Sequence, residues 1–205
     1  MSLEAVGALR EPVRRAVYEY VVAQAEPVSR NEVAEAVGIG RTLAAFHLDK
    51  LAEAGLLETS YASRSGGPGA GRPAKLYRRS AAEHAVTLPP RDYRLLAEVL
   101  ASAVERSGVE PAVHSAAREL GAKLAGGEVF ERLGTLGYEP FEDADQTVRL
   151  RNCPFHALAQ AYPALVCGLN LALLDGLVGD RGWNVRLDPG PTGCCVVLQS
   201  KDNQD

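Results

Sequence analysis

The sequence predicts a mixed α+β protein, and three observations lead to that class. Apolar residues in the first third recur at helical spacing, and glycine, proline and a capping motif separate the helices. A glycine-rich, basic stretch is then flanked by two short segments with strand character. In the last third, further helices alternate with short strands. The 205 residues, 46% hydrophobic and 23% charged, suffice for one large domain or two small ones.

Three helices are predicted before residue 55. The first covers Pro12–Gln24, and the second begins after Ser29, which forms a capping box with Glu32. Gly38 ends the second helix, and the third covers Arg41–Ala52. The inward positions of the third helix are Ala44, Leu48 and Leu51. Two such helices joined by a glycine-containing turn predict a helix-turn-helix unit.

A hairpin with a basic loop follows. Its predicted strands are Leu56–Thr59 and Ala74–Arg79, and residues 63–72 form a glycine-rich tip. Although the net charge is -4, the first 80 residues hold 11 basic and 9 acidic residues, whereas the rest hold 11 and 17. This asymmetry is typical of a basic binding module joined to an acidic domain. Between residues 59 and 80 there are five cations and no acid: Arg64, Arg72, Lys75, Arg78 and Arg79.

Two segments, HLDKLAEAGLL (His47–Leu57) and GRPAKLY (Gly71–Tyr77), resemble the winged helix-turn-helix regulators of the ArsR-like superfamily. The third helix is then expected in the major groove of double-stranded DNA, with the basic wing on phosphates or in the minor groove. The alternatives are a helical bundle and a winged helix that binds protein, which would not need five uncompensated cations. The expected DNA contacts are Arg30, Arg41, Thr42, Ala45, Phe46, Lys50, Arg64, Arg72, Lys75 and Arg78.

A long amphipathic helix, Arg91–Ser107, follows the wing, and its broad apolar face needs a partner. We expect it to pair across a two-fold axis, which gives a homodimer that matches a palindromic operator. An intrachain core helix is the alternative. Two further helices are predicted at Pro111–Leu124 and Glu128–Leu136.

The last segment predicts a small α+β sensor-like domain. Its elements are a hairpin (Tyr138–Glu142 and Thr147–Arg151), a helix (Ala164–Val178) and two strands (Asn184–Leu187 and Cys194–Gln199). The predicted division is a winged helix-turn-helix domain at 1–88, linker and dimerisation helices at 89–136, and a cysteine-containing sensor domain at 137–205.

Thiol and imidazole groups in this last domain are candidate ligands of zinc or of an iron–sulfur cluster. They are Cys153, His156, Cys167, Cys194 and Cys195. The sequence has no CxxC pair, and the spacings match no compact zinc finger. Buried cysteines that only pack, and a thiol redox switch, are the alternatives.

Three segments of this domain are similar to the C-terminal domain of repressors of iron–sulfur cluster assembly operons: NCPFHALA (152–159), VCGLNLALLDGL (166–177) and GCCVV (193–197). The resemblance implies that Cys153, Cys167 and one of Cys194 and Cys195 hold a 4Fe–4S cluster, and that this cofactor gates operator binding. It does not fix the fourth ligand, for which His156 is the candidate from its place in the sequence. A structural zinc is the alternative cofactor.

Other classes of protein find little support. No apolar run approaches the ~20 residues of a membrane span, and the N-terminus lacks the apolar centre of a signal peptide, so we expect a cytoplasmic protein without a membrane partner. HExxH, P-loop, G-x-S-x-G and nucleotide-binding glycine motifs are absent, so no enzyme is expected. A metal-dependent hydrolase built on Cys153, His156 and Cys167 is the competing class.

Overall fold

The structure, a computed structural model, describes residues 2–62, 73–89, 91–190 and 193–201. It is a mixed α+β protein that divides into two compact units, Met1–Arg91 and Asp92–Asp205. The segments that the sequence separates at residue 136 lie together in the second unit. No helix in the described ranges is long and apolar enough to cross a membrane.

The first unit consists of helices and a small antiparallel sheet with the strand order β1–β3–β2. All the helices and strands predicted here are confirmed to within two residues at each end, whereas α1 and β1 were not predicted. Its described elements are α1 (Ser2–Ala8), α2 (Pro12–Val22), β1 (Val28–Ser29), α3 (Arg30–Val37), α4 (Arg41–Glu53), β2 (Leu57–Tyr61) and β3 (Lys75–Arg79).

Local signals set the ends of α3. The Ser29 hydroxyl accepts a hydrogen bond from the Glu32 amide, and the Glu32 carboxylate accepts one from the Ser29 amide, so the predicted capping box is present. At the other end, Gly38 has a φ of 70°, which favours glycine and stops the helix. The predicted inward residues of α4, Ala44, Leu48 and Leu51, are all fully buried in the core of this unit.

The second unit combines helices with a four-stranded antiparallel sheet of order β4–β5–β7–β6. Every element predicted here is confirmed to within two residues at each end, and only α8 was not predicted. The described elements are α5 (Tyr93–Ser107), α6 (Glu110–Leu124), α7 (Val129–Thr135), β4 (Pro140–Glu142), β5 (Thr147–Leu150), α8 (His156–Ala161), α9 (Pro163–Val178), β6 (Trp183–Leu187) and β7 (Val196–Ser200).

Helix α9 is the buried element of this unit, since nine of its 16 residues are buried. Helices that are apolar on all sides belong in a protein interior. Two glycines let α6 approach α9 closely. A Cβ atom on Gly121 of α6 would lie 2.0 Å from the Leu173 carbonyl oxygen, and one on Gly176 of α9 would lie 2.1 Å from that of Arg118. The two backbones therefore touch with no side chain between them.

Gly121→Ala is expected to lower the free energy of unfolding of the second unit. The added methyl group must push two backbones apart, which costs about 1–3 kcal/mol and outweighs the ~1 kcal/mol gain in helix propensity. The control is Gly134→Ala in α7, where a Cβ atom meets nothing within 4 Å, so this change should be neutral or stabilising. Urea unfolding followed by fluorescence of the single tryptophan, Trp183, reports on this unit. Equal stability of the two variants would contradict the close packing.

Candidate functional site

Helix α4 presents a solvent-exposed face on the side opposite its buried residues. Arg41, Thr42, Phe46 and Lys50 are exposed and Ala45 is half-buried, as helical periodicity requires when Ala44, Leu48 and Leu51 face the core. Phe46 is 50% exposed and places an aromatic ring on this face. Arg30, the first residue of α3, is exposed as well. The predicted α4 contacts therefore lie on an accessible surface.

His47 separates this face from the core. The side chain is only 5% exposed, and its Nδ1 accepts a hydrogen bond from Arg14 Nε at 3.4 Å. Its ring also meets Phe46 edge-to-face, with 5.4 Å between the ring centroids. His47 thus packs α4 against α2 and supports the orientation of Phe46.

Two of the five hairpin cations, Lys75 and Arg78, have acidic partners, contrary to the expectation that all five are uncompensated. Lys75 Nζ lies 2.6 Å from Asp49 Oδ1, and an Arg78 guanidinium nitrogen lies 2.8 Å from Glu58 Oε2. The expectation was wrong because the sequence between residues 59 and 80 holds no acid, whereas the fold brings acids from α4 and β2. Arg64 and Arg72, also predicted to contact DNA, lie outside the described residues.

Asp49 joins α4 to the hairpin. Its Oδ1 accepts hydrogen bonds from Lys75 Nζ and, at 2.9 Å, from the Tyr77 hydroxyl. The bond from Lys75 lowers the pKa of the Asp49 carboxyl, and Asp49 in turn raises the pKa of Lys75. Both groups are therefore charged at neutral pH. Because both side chains are more than a third exposed, the pair is worth only about 0.2–1 kcal/mol.

In the second unit, four thiols from three separate segments converge. Cys153 lies in the loop after β5, Cys167 in α9, and Cys194 and Cys195 directly before β7. Cys153 lies beside Cys194 and Cys167 beside Cys195, so the thiols form two neighbouring pairs. Interaction with Cys153 lowers the pKa of Cys194, whereas burial raises the pKa of Cys195 to about 12.

Gly193 brings the last of these segments into place. Its φ of 85° favours glycine, and a Cβ atom there would lie 2.7 Å from the Leu150 carbonyl oxygen. That oxygen accepts a hydrogen bond from the Cys194 amide at 2.9 Å. Because Leu150 ends β5 three positions before Cys153, this close approach places Cys194 beside Cys153.

Two buried polar residues that the sequence did not single out surround Cys194. Asn170 Nδ2 donates to Cys194 Sγ at 3.1 Å, and the Tyr138 hydroxyl donates to Asn170 Oδ1 at 2.5 Å. Asn170 and Tyr138 are each 1% exposed, and burial raises the pKa of Tyr138. The available signal was an asparagine in the middle of a mostly apolar helix, because a buried amide needs hydrogen-bond partners.

His156 has a different environment. It begins α8 with an exposed side chain whose Nε2 lies 3.0 Å from Gln160 Nε2, while its backbone amide donates to the Cys153 carbonyl. Across the described ranges, no three His, Cys, Asp or Glu side chains are arranged to hold a metal ion. The donor chemistry of the four thiols suits a soft metal, but the described arrangement of their side chains does not fit a shared ion.

One comparison with known proteins matches part of the chain. A family model described as a helix-turn-helix domain matches residues 9–60, about a quarter of the chain, from the residue after α1 into β2. No curated protein and no solved structure gives a significant match. The match identifies a helix-turn-helix domain in the first unit and supports a DNA-binding transcriptional regulator rather than an enzyme.

Proposed function

We propose that the protein is a cytoplasmic repressor of the ArsR-like kind, in which a winged helix-turn-helix binds a palindromic operator and a metal centre in the second unit controls that binding. The helix-turn-helix match over residues 9–60 carries the DNA-binding part of the proposal. The convergence of four thiols from three segments supports the metal-centre part.

In the proposed complex, α4 lies in the major groove and the hairpin of β2 and β3 acts as the wing. Arg41 and Thr42 stand at the N-terminal end of α4, where the helix dipole favours a phosphate. Ala45 and Phe46 have no side-chain hydrogen-bonding group, so they suit thymine methyl groups and DNA shape. Lys75 and Arg78 reach phosphates only by exchanging Asp49 and Glu58 for DNA.

Affinity for duplex DNA of its own promoter region should fall steeply with salt, because neutralised phosphates release counterions. Arg41→Ala should reduce the slope of log K against log salt by about one unit. Lys75→Ala should reduce it less, because Lys75 gives up Asp49 when it binds. Lys123→Ala, at an exposed position of α6, is the control. Fluorescence anisotropy across a salt series measures the slopes, and binding that is independent of salt would contradict the proposal.

The apolar face of α5 supports homodimerisation. Five large side chains there are each more than half exposed, and Ala101 is the one buried residue of the helix. Exposed apolar surface of this extent is typical of an interaction site. A second copy of the chain is the proposed occupant because a palindromic operator requires a two-fold symmetric protein. The five residues are Tyr93, Leu95, Leu96, Val99 and Leu100.

Leu96→Glu is expected to convert the protein to a monomer, because a charge would have to be buried in the dimer interface. Glu105 lies on the opposite side of the same helix from Leu96. Glu105→Lys therefore changes a charge on the polar face and should leave the dimer intact. Analytical ultracentrifugation measures both. A wild-type monomer at micromolar concentration, or a dimer that survives Leu96→Glu, would contradict this arrangement.

For the metal centre we propose Cys153, Cys167 and one of Cys194 and Cys195 as ligands of a 4Fe–4S cluster, with His156 as the candidate fourth ligand. To act as a ligand, His156 must give up its side-chain contact with Gln160. Zinc in a structural role is the alternative cofactor. The two neighbouring thiol pairs favour a second candidate function, a redox switch in which a pair exchanges with an external disulfide, so that the protein disulfide forms and the external disulfide is reduced to two thiols.

Replacing Cys153 or Cys167 by serine should abolish metal retention, because each removes a thiolate ligand. His156→Ala should weaken retention only in part, and Gln160→Ala is its control. Iron, zinc and sulfide per chain are measured on protein purified without oxygen, with promoter affinity on the same samples. Equal metal content in all variants, or none in the wild type, would end the ligand assignment. Loss of metal with unchanged promoter affinity would end the gating role.

A further inference from the structure

We infer that Asp49 and Lys75 act together as a specificity-determining pair that reads one G·C base pair in the major groove. The inference rests on the proposed DNA binding of the first unit and names the base pair that this part of the interface recognises. It also gives a role to an acid on a helix face that otherwise approaches a polyanion.

Asp49 lies on the exposed face of α4. It follows Phe46 by three residues and Thr42 by seven, and helical periodicity places these three side chains on one side of the helix. The Asp49 side chain is 49% exposed. Because a carboxylate on this face repels phosphates, Asp49 lowers the affinity for DNA unless it also contacts a hydrogen-bond donor there. Base edges in the major groove supply such donors to a bound helix.

The Lys75 ammonium group lies beside Asp49, although Lys75 belongs to the hairpin. Its Nζ is 2.6 Å from Asp49 Oδ1 and 5.1 Å from the centre of the Tyr77 ring. The Tyr77 hydroxyl donates to the same oxygen at 2.9 Å, and Tyr77 is only 3% exposed. The buried tyrosine therefore holds the cation and the carboxylate side by side at the surface.

The pair has hydrogen-bonding capacity left for an outside group. Both hydrogen bonds to the Asp49 carboxylate end on Oδ1, so Oδ2 remains an open acceptor in the part of the chain that the structure describes. An ammonium group has three protons, and Lys75 gives one of them to Asp49. Both side chains are more than a third exposed, so a donor and an acceptor are accessible together.

A G·C base pair has the matching pattern in the major groove. Guanine presents the acceptors N7 and O6, and the cytosine N4 amino group, which donates to O6 at about 2.9 Å, lies beside them. Lysine favours guanine O6 and N7, and aspartate favours cytosine N4. In an A·T pair the adenine N6 donor lies between two acceptors, adenine N7 and thymine O4, which repel a carboxylate. The pair therefore discriminates G·C from A·T.

Reading a base pair leaves the ion pair closed. A phosphate contact requires Lys75 to give up Asp49, whereas G·C reading uses the protons and the oxygen that the ion pair leaves free. The ion pair as a whole carries no net charge, so base reading adds little to the salt dependence of binding. Base preference and salt dependence therefore distinguish a base contact of Lys75 from a phosphate contact.

The test selects bound sequences from a library of randomised duplexes and determines the base preference at each position by sequencing. Lys75→Met, which keeps the length of the side chain, should reduce the preference for G·C about tenfold at one position of each half-site. The other positions should be unchanged. Asp49→Asn should alter the same position and shift it toward A·T, because asparagine pairs with adenine N6 and N7.

Two further variants separate base reading from other effects of charge and folding. Glu53→Gln is the matched control, because Glu53 pairs with Lys50 within α4 rather than with the hairpin, and it should leave the preference at that position unchanged. Tyr77→Phe removes the hydroxyl that orients the carboxylate but keeps both charges, so it should weaken the preference less than Lys75→Met does. Urea unfolding of each variant identifies any loss of folding.

The outcomes separate this inference from the proposed function. A wild-type protein without salt-sensitive affinity for DNA overturns the DNA binding itself. If the wild type binds, base reading alone is overturned when no sequence is enriched or when Lys75→Met and Asp49→Asn alter no shared position. It is also overturned when the shared position is A·T in the wild type or when Glu53→Gln alters it equally. If Asp49→Asn fails to fold, Lys75→Met and Tyr77→Phe decide the question.

Discussion

The close approach of α6 and α9 is the constraint on which the second unit depends. Gly121 and Gly176 let the two backbones touch, and this contact holds an apolar helix that has nine buried residues. The same helix carries Cys167 and Asn170, so its placement determines where these side chains meet the segment before β7. Gly193 supplies the corresponding close approach on the sheet side. Three glycines therefore position the thiols without contributing a functional group.

The core of the second unit contains two buried polar side chains that lower its stability. A buried asparagine and tyrosine contribute less to the free energy of unfolding than leucine and phenylalanine of the same shape, because their polar groups must be desolvated. Their hydrogen bonds to each other and to Cys194 offset this cost. A network that is satisfied in only one arrangement also fixes that arrangement, as an all-apolar core does not. We therefore regard Tyr138, Asn170 and Cys194 as one unit.

Local signals in the sequence predicted most elements, whereas short elements and contacts between distant residues account for what it missed. The capping box at Ser29 and the glycine at residue 38 gave the bounds of α3 because both act within one turn. Strand β1 has two residues and α8 has six, too few for a periodicity. His156 was chosen because it is near Cys153 in sequence. The fold instead surrounds Cys194 with Asn170 from α9 and Tyr138, which lies 56 residues earlier in the chain.

The ion pairs of the first unit bear on how a chain of net charge -4 binds DNA. Lys50, Lys75 and Arg78 are each paired with an acid, so the long-range attraction to phosphates is weaker than the count of cations indicates. Each pair must open before its cation reaches a phosphate, and the acid released there repels the DNA. The cost of opening the ion pairs and the repulsion by the released acids both lower the affinity for non-specific DNA. In the proposed complex, recognition would then depend more on the exposed face of α4, where Phe46 and Thr42 would contact base edges only when the sequence and shape of the groove fit.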